Sequence, residues 1–303
     1  MPAATELDID GRKVGVTNLD KVLYPVPGFT KAQIIDYYAR IADVLLPHLL
    51  RRPVTLKRYP DGVAGEFFYE KQAPAHRPSW LKTAPVWSDT RGDEIDYSLL
   101  NDRASLVWAA NLASLELHPF LHRAPRLTRP DSVVFDLDPG EPATIVECCT
   151  VALALRKLFS VHGLECFAKT SGSKGLQLFV PLNTATTYEK TKAFAKRVAE
   201  IMQESAPALV VTQMRRALRP GKIFIDWSQN DPHKTTVSVY SLRAKSAPTV
   251  STPVTWAEVQ KCARSRDPQA LVFDSEAVLK RVKRRGDLFA PLLTLKQRLP
   301  KEL

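Results

Sequence analysis

The hydrophobic positions of this chain fall into short runs of two kinds. Runs rich in β-branched and aromatic residues, each bounded by turn residues, predict strands at 54–59, 132–138, 164–170, 176–181, 222–227 and 235–242. Helical periodicity behind a capping box predicts helices that begin at Thr30, Thr144, Thr186 and Thr255. The segment 102–117 is apolar on most sides and predicts a buried helix. Strands and helices do not strictly alternate, which favours an α+β fold over a doubly wound parallel sheet.

Composition narrows the class of protein. The chain has 303 residues, of which 45% are hydrophobic and 25% charged, and this balance is typical of a globular protein with a full core. The net charge of +11 favours an anionic partner, unless it reflects a generally solvated basic surface. The sequence has no signal-peptide pattern, no apolar run near the roughly 20 residues of a membrane helix, and no disulfide or metal spacing among its cysteines. We therefore expect a soluble cytosolic protein, with a connector between two lobes in the proline- and arginine-rich stretch 118–131.

The segment 132–140 carries the sharpest chemical pattern. Because strand side chains alternate, its apolar residues share one face, while Asp136 and Asp138 share the other at a spacing of about 6.6 Å. Two carboxylates this close repel each other unless a cation lies between them, and their oxygens suit Mg²⁺ or Mn²⁺. The alternative is a strand-end pair that caps a turn, and Asp-x-Asp occurs in phosphatases, glycosyltransferases and polymerases alike.

Two further segments extend this pattern. Asp226 ends the apolar strand 222–227, and a third carboxylate would complete a two-metal cluster for in-line phosphoryl displacement, although a plain strand-end residue is the simpler interpretation. The loop 170–177 indicates a hairpin whose glycines let backbone amides converge, with Ser171 and Lys174 as added donors. Such a loop suits a phosphate, or it is only a polar hairpin.

Basic and aromatic residues complete the inventory. A basic cluster runs directly into the Asp226 strand, and its charges suit a triphosphate or a nucleic-acid backbone. It consists of Arg215, Arg216, Arg219 and Lys222. Phe67 and Phe68 are core residues or a platform on which bases stack. His118 is predicted to end the apolar helix over 102–117.

In combination, these motifs resemble the polymerase domain of the bacterial non-homologous end-joining ligase (ligase D), in the archaeo-eukaryotic primase superfamily. The resemblance runs from about residue 18 to residue 243, and FDLDPG, TSGSKGLQLFVPL, GKIFIDWSQN and KTTVSVYSLR carry it in order. It implies a primase-polymerase catalytic core with two β-sheet lobes, flanked by helices, around a central cleft. We expect a single domain with an N-terminal lobe at about 1–125, an RRM-like catalytic lobe at about 131–248 and a C-terminal helical segment at about 249–303.

The resemblance also implies roles for individual residues. Those that match the family's metal-binding, catalytic carboxylates are Asp136, Asp138 and Asp226. Those that match nucleotide-binding positions are Lys57, His118, Ser171, Lys174, Gln177, Arg219, Gln229 and Arg243. Those that match DNA-binding positions are Asn18, Lys21 and Lys31 for a 5′-phosphate, and Phe67 and Phe68 for a template base.

The sequence departs from the family pattern at several places. The phosphate loop normally ends Gly-x-His, and Gln177 stands in the place of that histidine. Because glutamine donates a hydrogen bond but carries no charge, we expect weakened or altered nucleotide handling. Val239 replaces an expected proline, and the connector before Asp136 is shorter than in the family. No ligase or nuclease segment is present, so we expect a stand-alone paralogue or one excised domain.

The function implied is a template-dependent nucleotidyltransferase that fills gaps or extends ends in DNA repair, prefers ribonucleotides and uses two Mn²⁺ or Mg²⁺ ions. Its expected partners are gapped or primer-template DNA with a 5′-phosphate, NTP or dNTP, a DNA ligase and an end-binding repair protein, but no membrane. We expect it in the bacterial cytoplasm, at the nucleoid. The alternatives are a catalytically weak paralogue that binds gapped 5′-phosphorylated DNA, and a Mg²⁺-dependent phosphohydrolase.

Overall fold

The computed structural model describes residues 5–301. Its strands are β1 Thr5–Ile9, β2 Arg12–Val16, β3 Val22–Tyr24, β4 Phe29–Thr30, β5 Pro53–Arg58, β6 Phe68–Glu70, β7 Thr83–Ser88, β8 Asp93–Leu99, β9 Ser114–Pro119, β10 His122–Arg123, β11 Arg126–Pro130, β12 Ser132–Pro139, β13 Phe167–Thr170, β14 Leu176–Pro181, β15 Val210–Val211, β16 Ile223–Asp226, β17 Leu242–Ala244, β18 Pro248–Val250 and β19 Pro253–Val254. Its helices are α1 Lys31–Leu49, α2 Arg103–Asn111, α3 Ile145–Val161, α4 Tyr188–Ser205, α5 Trp256–Ser265, α6 Ser275–Arg285 and α7 Pro291–Thr294. Mixed helices and strands, arranged in several sheets, confirm the α+β class.

Three of the four predicted capping boxes are present. Thr30, Thr144 and Thr255 each cap a helix, and the Gln or Glu three residues later bonds back to the backbone of the cap residue. The fourth prediction was wrong by one residue, because Thr187, not Thr186, accepts the amide of Lys190 and begins α4. Local side-chain chemistry thus sets most of the helix starts.

The helix predicted over 102–117 is correct only in its first part. Helix α2 is buried on nearly all sides, as predicted, but it ends at Asn111. Ala113 then takes a φ of +58°, which turns the chain into strand β9. His118 therefore lies on a strand, and its prediction as a helix-end residue is wrong.

The strand predicted over 235–242 is also wrong. The amides of Thr236 and Ser238 donate to the β9 carbonyls of Pro119 and Leu117, at 3.2 and 2.8 Å. The segment follows β9 through these bonds, but it is irregular, and β17 begins only at Leu242. Its apolar alternation reflects burial against a neighbouring strand without a regular ladder of its own.

The first of two compact units contains the described chain up to Leu127, together with Thr235–Val250 and Asp274–Gly286. Its main sheet has the order β6-β5-β8-β7, and β9 also pairs with β5. All of these pairs are antiparallel, and helices α1 and α2 pack against each other. The β5–β9 register sets Lys57 opposite Glu116, which brings polar residues of both strands together.

The second unit contains Thr128–Lys234, Ser251–Phe273 and the described chain from Asp287 onward. Its six-stranded sheet has the order β15-β16-β12-β14-β13-β19, antiparallel except for β15–β16. Helices α3 and α4 contact β12 and bury its apolar face. There the ring centroid of Phe135 lies 5.2 Å from that of Phe159 and 6.4 Å from that of Phe194. This packing fixes the position of β12 and so of its polar residues.

The stretch 118–131 is more regular than its sequence indicates. It contains the end of β9, the short strands β10 and β11 and, between Leu127 and Thr128, the change from the first unit to the second. Among the described residues, no helix is both long and apolar enough to cross a membrane.

Candidate active site

Strand β12 lies inside the six-stranded sheet, between β16 and β14. Phe135 and Leu137 are fully buried in the core on one face of this strand. Asp136 is half-buried and Asp138 is exposed, so the alternation predicted from the sequence is confirmed. The apolar face anchors the strand, and this anchoring holds both carboxylates at the strand's end on the opposite face.

The strand register aligns polar residues in one row across the sheet. Asp136 lies opposite Asp226 on β16 and opposite Gln177 on β14, and Gln177 lies opposite Lys169 on β13. Residues directly opposite each other in antiparallel strands share a face, with Cβ atoms about 4.5–5.5 Å apart. We call Asp226, Asp136, Gln177 and Lys169 the polar row.

The negative charge of Asp136 is only partly balanced by its surroundings. Burial is the main cause of a pKa raised to about 7, and the charges of Asp138 and Asp226 add to it, whereas a hydrogen bond from Gln177 and the charge of Lys169 act in the opposite direction. The buried Oδ1 atom of Asp136 accepts no hydrogen bond. A bound cation would relieve both the repulsion and the unmet hydrogen-bonding capacity.

Asp226 is held by its own strand end. Its Oδ1 accepts bonds from the backbone amide and the Oγ of Ser228, at 3.0 and 2.5 Å, and its Oδ2 accepts one from Gln229 Nε2 at 2.9 Å. Ser228 in turn accepts a bond from Lys234 Nζ at 2.5 Å. Gln229 is thus directed at a carboxylate, and Asp226 begins a single 3₁₀ turn, Trp227–Gln229.

These residues fit a divalent cation by their donor chemistry. Within residues 5–301, no three acidic, histidine or cysteine side chains are gathered as a metal-binding group. Asp136 nevertheless supplies a buried carboxylate oxygen without a partner, and Asp138 and Asp226 supply further negative charge beside it. Hard oxygen donors of this kind are the ligands of Mg²⁺ and Mn²⁺.

The loop between β13 and β14 is the hairpin that the sequence predicted. Ser171 Oγ accepts the amides of Ser173 and Gly175, at 3.2 and 3.1 Å, so its hydroxyl folds the loop upon itself. A Cβ atom at Gly175 would collide with the carbonyl oxygen of Leu137, which explains the glycine there. Lys174 extends into solvent, where Nζ contacts the exposed Glu141 at 2.6 Å.

Arg219 lies beside the same strand end. Its guanidinium is 3.7 Å from the ring centroid of Phe224, the residue that pairs opposite Asp138, and it donates to the carbonyl of Met214 at 2.8 Å. A Cβ atom at Gly140 would collide with the backbone of Arg219, so this glycine permits the close approach. The cation is therefore packed on the residue opposite the second aspartate.

In the first unit, a buried carboxylate gathers three basic residues. Glu116 on β9 contacts His118 Nε2 at 2.9 Å, Arg243 Nε at 3.3 Å and Lys57 Nζ at 4.0 Å. The backbone amide of Ala244 donates to it at 3.1 Å. We call Glu116, Lys57, His118 and Arg243 the Glu116 cluster; it brings together three basic residues that lie far apart in the sequence.

Burial and neighbouring charges shift the pKa values of the residues in the Glu116 cluster. Burial, the largest influence on Glu116, favours its protonated form, but the hydrogen bond with His118 and the charges of Arg243 and Lys57 hold its pKa well below the usual value. Burial is also the main cause of the lowered pKa values of His118 and Lys57, against which the charge of Glu116 acts. Glu116 therefore stays ionised and holds the three basic side chains in place.

Aromatic rings surround Lys57. Its Nζ lies 4.0, 5.2 and 5.4 Å from the ring centroids of Phe67, Tyr59 and Tyr69. Phe67 is 50% exposed and Phe68 is 44% exposed, which is high for large apolar side chains. Of the two interpretations offered by the sequence, the exposure excludes a fully buried core pair.

Asn18 and Lys21 line a concavity of about 600 Å³. Lys21 Nζ contacts Asp61 at 2.8 Å. Lys31 is buried instead, and its Nζ donates to the Thr17 carbonyl at 2.7 Å. Burial first, then the charges of Lys21 and Arg58, lowers the pKa of Lys31 to about 8. Only two of the three predicted 5′-phosphate residues thus line this concavity.

Two residues of these arrangements were missed in the sequence. The helix predicted over 102–117 conceals Glu116, although Glu116 and His118 are two residues apart, the spacing that puts both on one face of a strand. Lys169 sits in the short strand β13, where a single lysine in an apolar run carries no distinctive signal. Only the sheet register connects it to Asp136.

The fold and the site together define the class of protein. The profile described as LigD, primase-polymerase domain, matches residues 30–289, and the chain belongs to this family. Polymerase domains of this family are nucleotidyltransferases, so the chain belongs to an enzyme class.

Individual proteins that are similar to this chain carry the same family name. The multifunctional non-homologous end joining protein LigD of Mycolicibacterium smegmatis is 42% identical over 92% of this chain, and the bifunctional LigD of Bacillus subtilis is 33% identical over 90% of it. The chain spans only 36% and 43% of these two relatives. The solved polymerase domain of Mycobacterium tuberculosis ligase D, in complex with DNA, is 41% identical, with a TM-score of 0.86 over 94% of this chain and 99% of that one.

Proposed function

We propose that this chain is a template-dependent nucleotidyltransferase that fills short gaps or extends ends in DNA repair by end joining, with a preference for ribonucleotides. The observation that carries the proposal is the register that sets Asp136 opposite Asp226 while a buried oxygen of Asp136 lacks a partner. Such a concentration of negative charge has a use where cations meet a polyphosphate. A phosphohydrolase would also use it, but membership of the primase-polymerase family favours polymerisation.

Asp136, Asp138 and Asp226 would hold two Mn²⁺ or Mg²⁺ ions. When bound, such ions lower the pKa of the primer 3′-hydroxyl and neutralise the leaving pyrophosphate. The chain's own part is to keep the carboxylates on a rigid strand, since β12 is buried on its apolar face and paired on both sides. Preorganised charges of this kind need no rearrangement during the reaction.

The proposed nucleotide contacts are hydrogen-bond donors and basic side chains. Ser171, Lys174 and Arg219 would bind phosphates beside the carboxylates, and Gln229 would keep Asp226 in place through its amide. Lys57 and Arg243 of the Glu116 cluster would add positive charge for a triphosphate, and His118 would add its imidazole as a hydrogen-bonding group. Guanidinium and ammonium groups are the side chains that recognise phosphates most strongly.

The proposed polynucleotide partner is gapped or primer-template DNA with a 5′-phosphate. The solved relative of this fold was obtained with DNA. Exposed Phe67 and Phe68 would stack on a template base, and Asn18, Lys21 and the nearby Lys31 would form the 5′-phosphate site. A ligase and an end-binding protein are further proposed partners, at the nucleoid of a bacterial cell.

Primer extension tests this function. A gapped duplex with a 5′-phosphate is incubated with Mn²⁺ and either NTPs or dNTPs, and we expect templated extension that is stronger with NTPs. Asp136→Ala should lower the rate at least about 100-fold, since a metal ligand contributes several kcal/mol to the transition state.

The matched control is Asp36→Ala, which removes an exposed carboxylate of α1 that pairs with Arg40. It should retain the wild-type rate. A wild-type chain that binds the duplex but extends nothing would contradict the polymerase proposal and select the silent, DNA-binding paralogue. Full activity in Asp136→Ala would contradict the carboxylate assignment alone.

A further inference from the structure

Lys169 is a lysine without solvent exposure, on the same face of the sheet as the carboxylates. Its Nζ donates to Gln177 Oε1 at 2.5 Å and to Ser251 Oγ at 2.6 Å. Burying an ammonium group costs several kcal/mol unless hydrogen bonds and opposite charge compensate for it. The groups that compensate Lys169 therefore indicate what it does, and they lead to Asp136.

Lys169 determines which end of the Gln177 amide faces which neighbour. An ammonium group only donates, so the amide oxygen of Gln177 must face Lys169. The amide nitrogen is then directed to the other neighbour in the polar row, Asp136, which receives a hydrogen bond from Gln177. Without the lysine, the amide could turn over and bring its oxygen against a carboxylate.

The bond from Gln177 also determines which carboxylate oxygen is left available to a ligand. Oδ1 of Asp136 has no hydrogen-bond partner, so Gln177 engages the other oxygen. A carboxylate held on one side by an amide cannot rotate freely. Its Oδ1 is therefore kept in a fixed direction.

We propose that Lys169 and Gln177 are positioning residues for Asp136: the lysine orients the amide, and the amide fixes the carboxylate that meets the divalent cation. This inference deepens the proposed function and rests on it. It gives Gln177 a partner in Asp136, whereas the family resemblance implies the nucleotide as its ligand. Residues that hold a metal ligand in place change metal affinity by about 10- to 100-fold when they are removed.

Mn²⁺ binding to the whole chain, without nucleotide or DNA, tests the proposal by electron paramagnetic resonance. Lys169→Met and Gln177→Met should each lower the affinity about 10- to 100-fold. Because the two residues act in series, the double variant should be no more than about threefold weaker than the weaker single variant. Gln177→His should stay within about threefold of wild type, since a neutral imidazole can accept from Lys169 and donate to Asp136.

Matched controls are available on α4 in the same unit. Lys192→Met removes a lysine paired with Asp231 at 2.6 Å, and Gln203→Met removes an amide oxygen that accepts the Thr212 backbone amide at 2.8 Å. Both should retain wild-type Mn²⁺ affinity, whatever they do to the melting temperature. A purely structural role for Lys169 and Gln177 would lower the melting temperature in their variants and leave Mn²⁺ affinity unchanged.

Three results would overturn the proposal: unchanged Mn²⁺ affinity in Gln177→Met, fully additive losses in the double variant, or a wild-type chain that binds no Mn²⁺. If Lys169→Met does not fold, the two variants at position 177 decide the question. Primer extension is measured separately. Loss of the expected Mn²⁺ pattern in a chain that extends primers would reject the positioning role alone, whereas the expected pattern without extension would reject the polymerase function alone.

Discussion

The two charged arrangements of this chain have opposite electrostatic balances. In the Glu116 cluster, one buried carboxylate faces three basic side chains, and its negative charge is fully compensated within the fold. In the polar row, carboxylates lie opposite each other, and one buried oxygen is left without a partner. The first arrangement has a depressed carboxyl pKa and the second a raised one.

This difference indicates what each arrangement is for. A carboxylate whose charge is already compensated serves to organise its neighbours, and removing it should damage the fold. A carboxylate whose charge is only partly compensated weakens the fold, and the proposed cation would complete the compensation. Glu116 and Asp136 should therefore respond to neutralisation with opposite changes in stability.

Neutralising Glu116 should have the largest effect. Glu116→Gln leaves the largely buried Lys57 and Arg243 without a counter-charge, so the free energy of unfolding should fall by about 3–5 kcal/mol in urea denaturation at pH 7. The pKa of Glu116 in the folded state is depressed. Its contribution to the free energy of unfolding of the wild type is therefore present above pH 4.5, the ordinary pKa of a glutamate, and is lost as the pH falls below that value. Glu94→Gln, at an exposed strand position, is the control, and equal effects of both changes would contradict the cluster's role.

Neutralising Asp136 should act in the opposite direction. The folded pKa of about 7 exceeds the ordinary 3.8, so the ionised carboxylate destabilises the fold, fully above pH 7 and not at all below about pH 4. In EDTA at pH 8, Asp136→Asn should therefore raise the free energy of unfolding, by up to about 4 kcal/mol. The gain should shrink as the pH is lowered.

Calorimetry or urea denaturation across this pH range measures the effect. Asp36→Asn, an exposed control, should show no comparable pH dependence. A loss of stability in Asp136→Asn at pH 8 would show that the carboxylate is compensated after all, and the contrast with Glu116 would disappear.

The sequence predicted these two arrangements unequally, for a physical reason. Asp136 could be placed because apolar alternation along one strand dictates which residues share a face. Glu116 could not, because the end of α2 depends on a positive φ at Ala113, for which an alanine gives no local signal. Capping boxes at Thr30, Thr144 and Thr255 were recognisable because their hydrogen bonds span only three residues. Pairings between distant segments, such as those of Lys169, leave no such local trace.

A smaller effect is expected at the aromatic rim of the Glu116 cluster. Phe67→Ala removes an exposed ring whose centroid lies 4.0 Å from Lys57 Nζ. If the ring stacks on a base, affinity for a gapped duplex should fall about 10-fold in fluorescence anisotropy, since one stacked base contributes about 1–3 kcal/mol. Trp87→Ala is the matched control, because Trp87 is similarly exposed at 54%. Equal affinities of all three chains would assign Phe67 to covering Lys57 only.

The smallest effect should come from an exposed ion pair of the same unit. Lys21→Gln breaks the contact with Asp61, and both residues are exposed, so the free energy of unfolding should change by no more than about 0.5 kcal/mol. The same change should reduce the preference for a gap with a 5′-phosphate over one with a 5′-hydroxyl by about three- to tenfold, and lower the salt dependence by about one phosphate contact. Lys13→Gln, which breaks the exposed pair with Glu6, should leave that preference intact. An unchanged preference in Lys21→Gln would remove Lys21 from the 5′-phosphate site and leave the comparison of the two buried arrangements untouched.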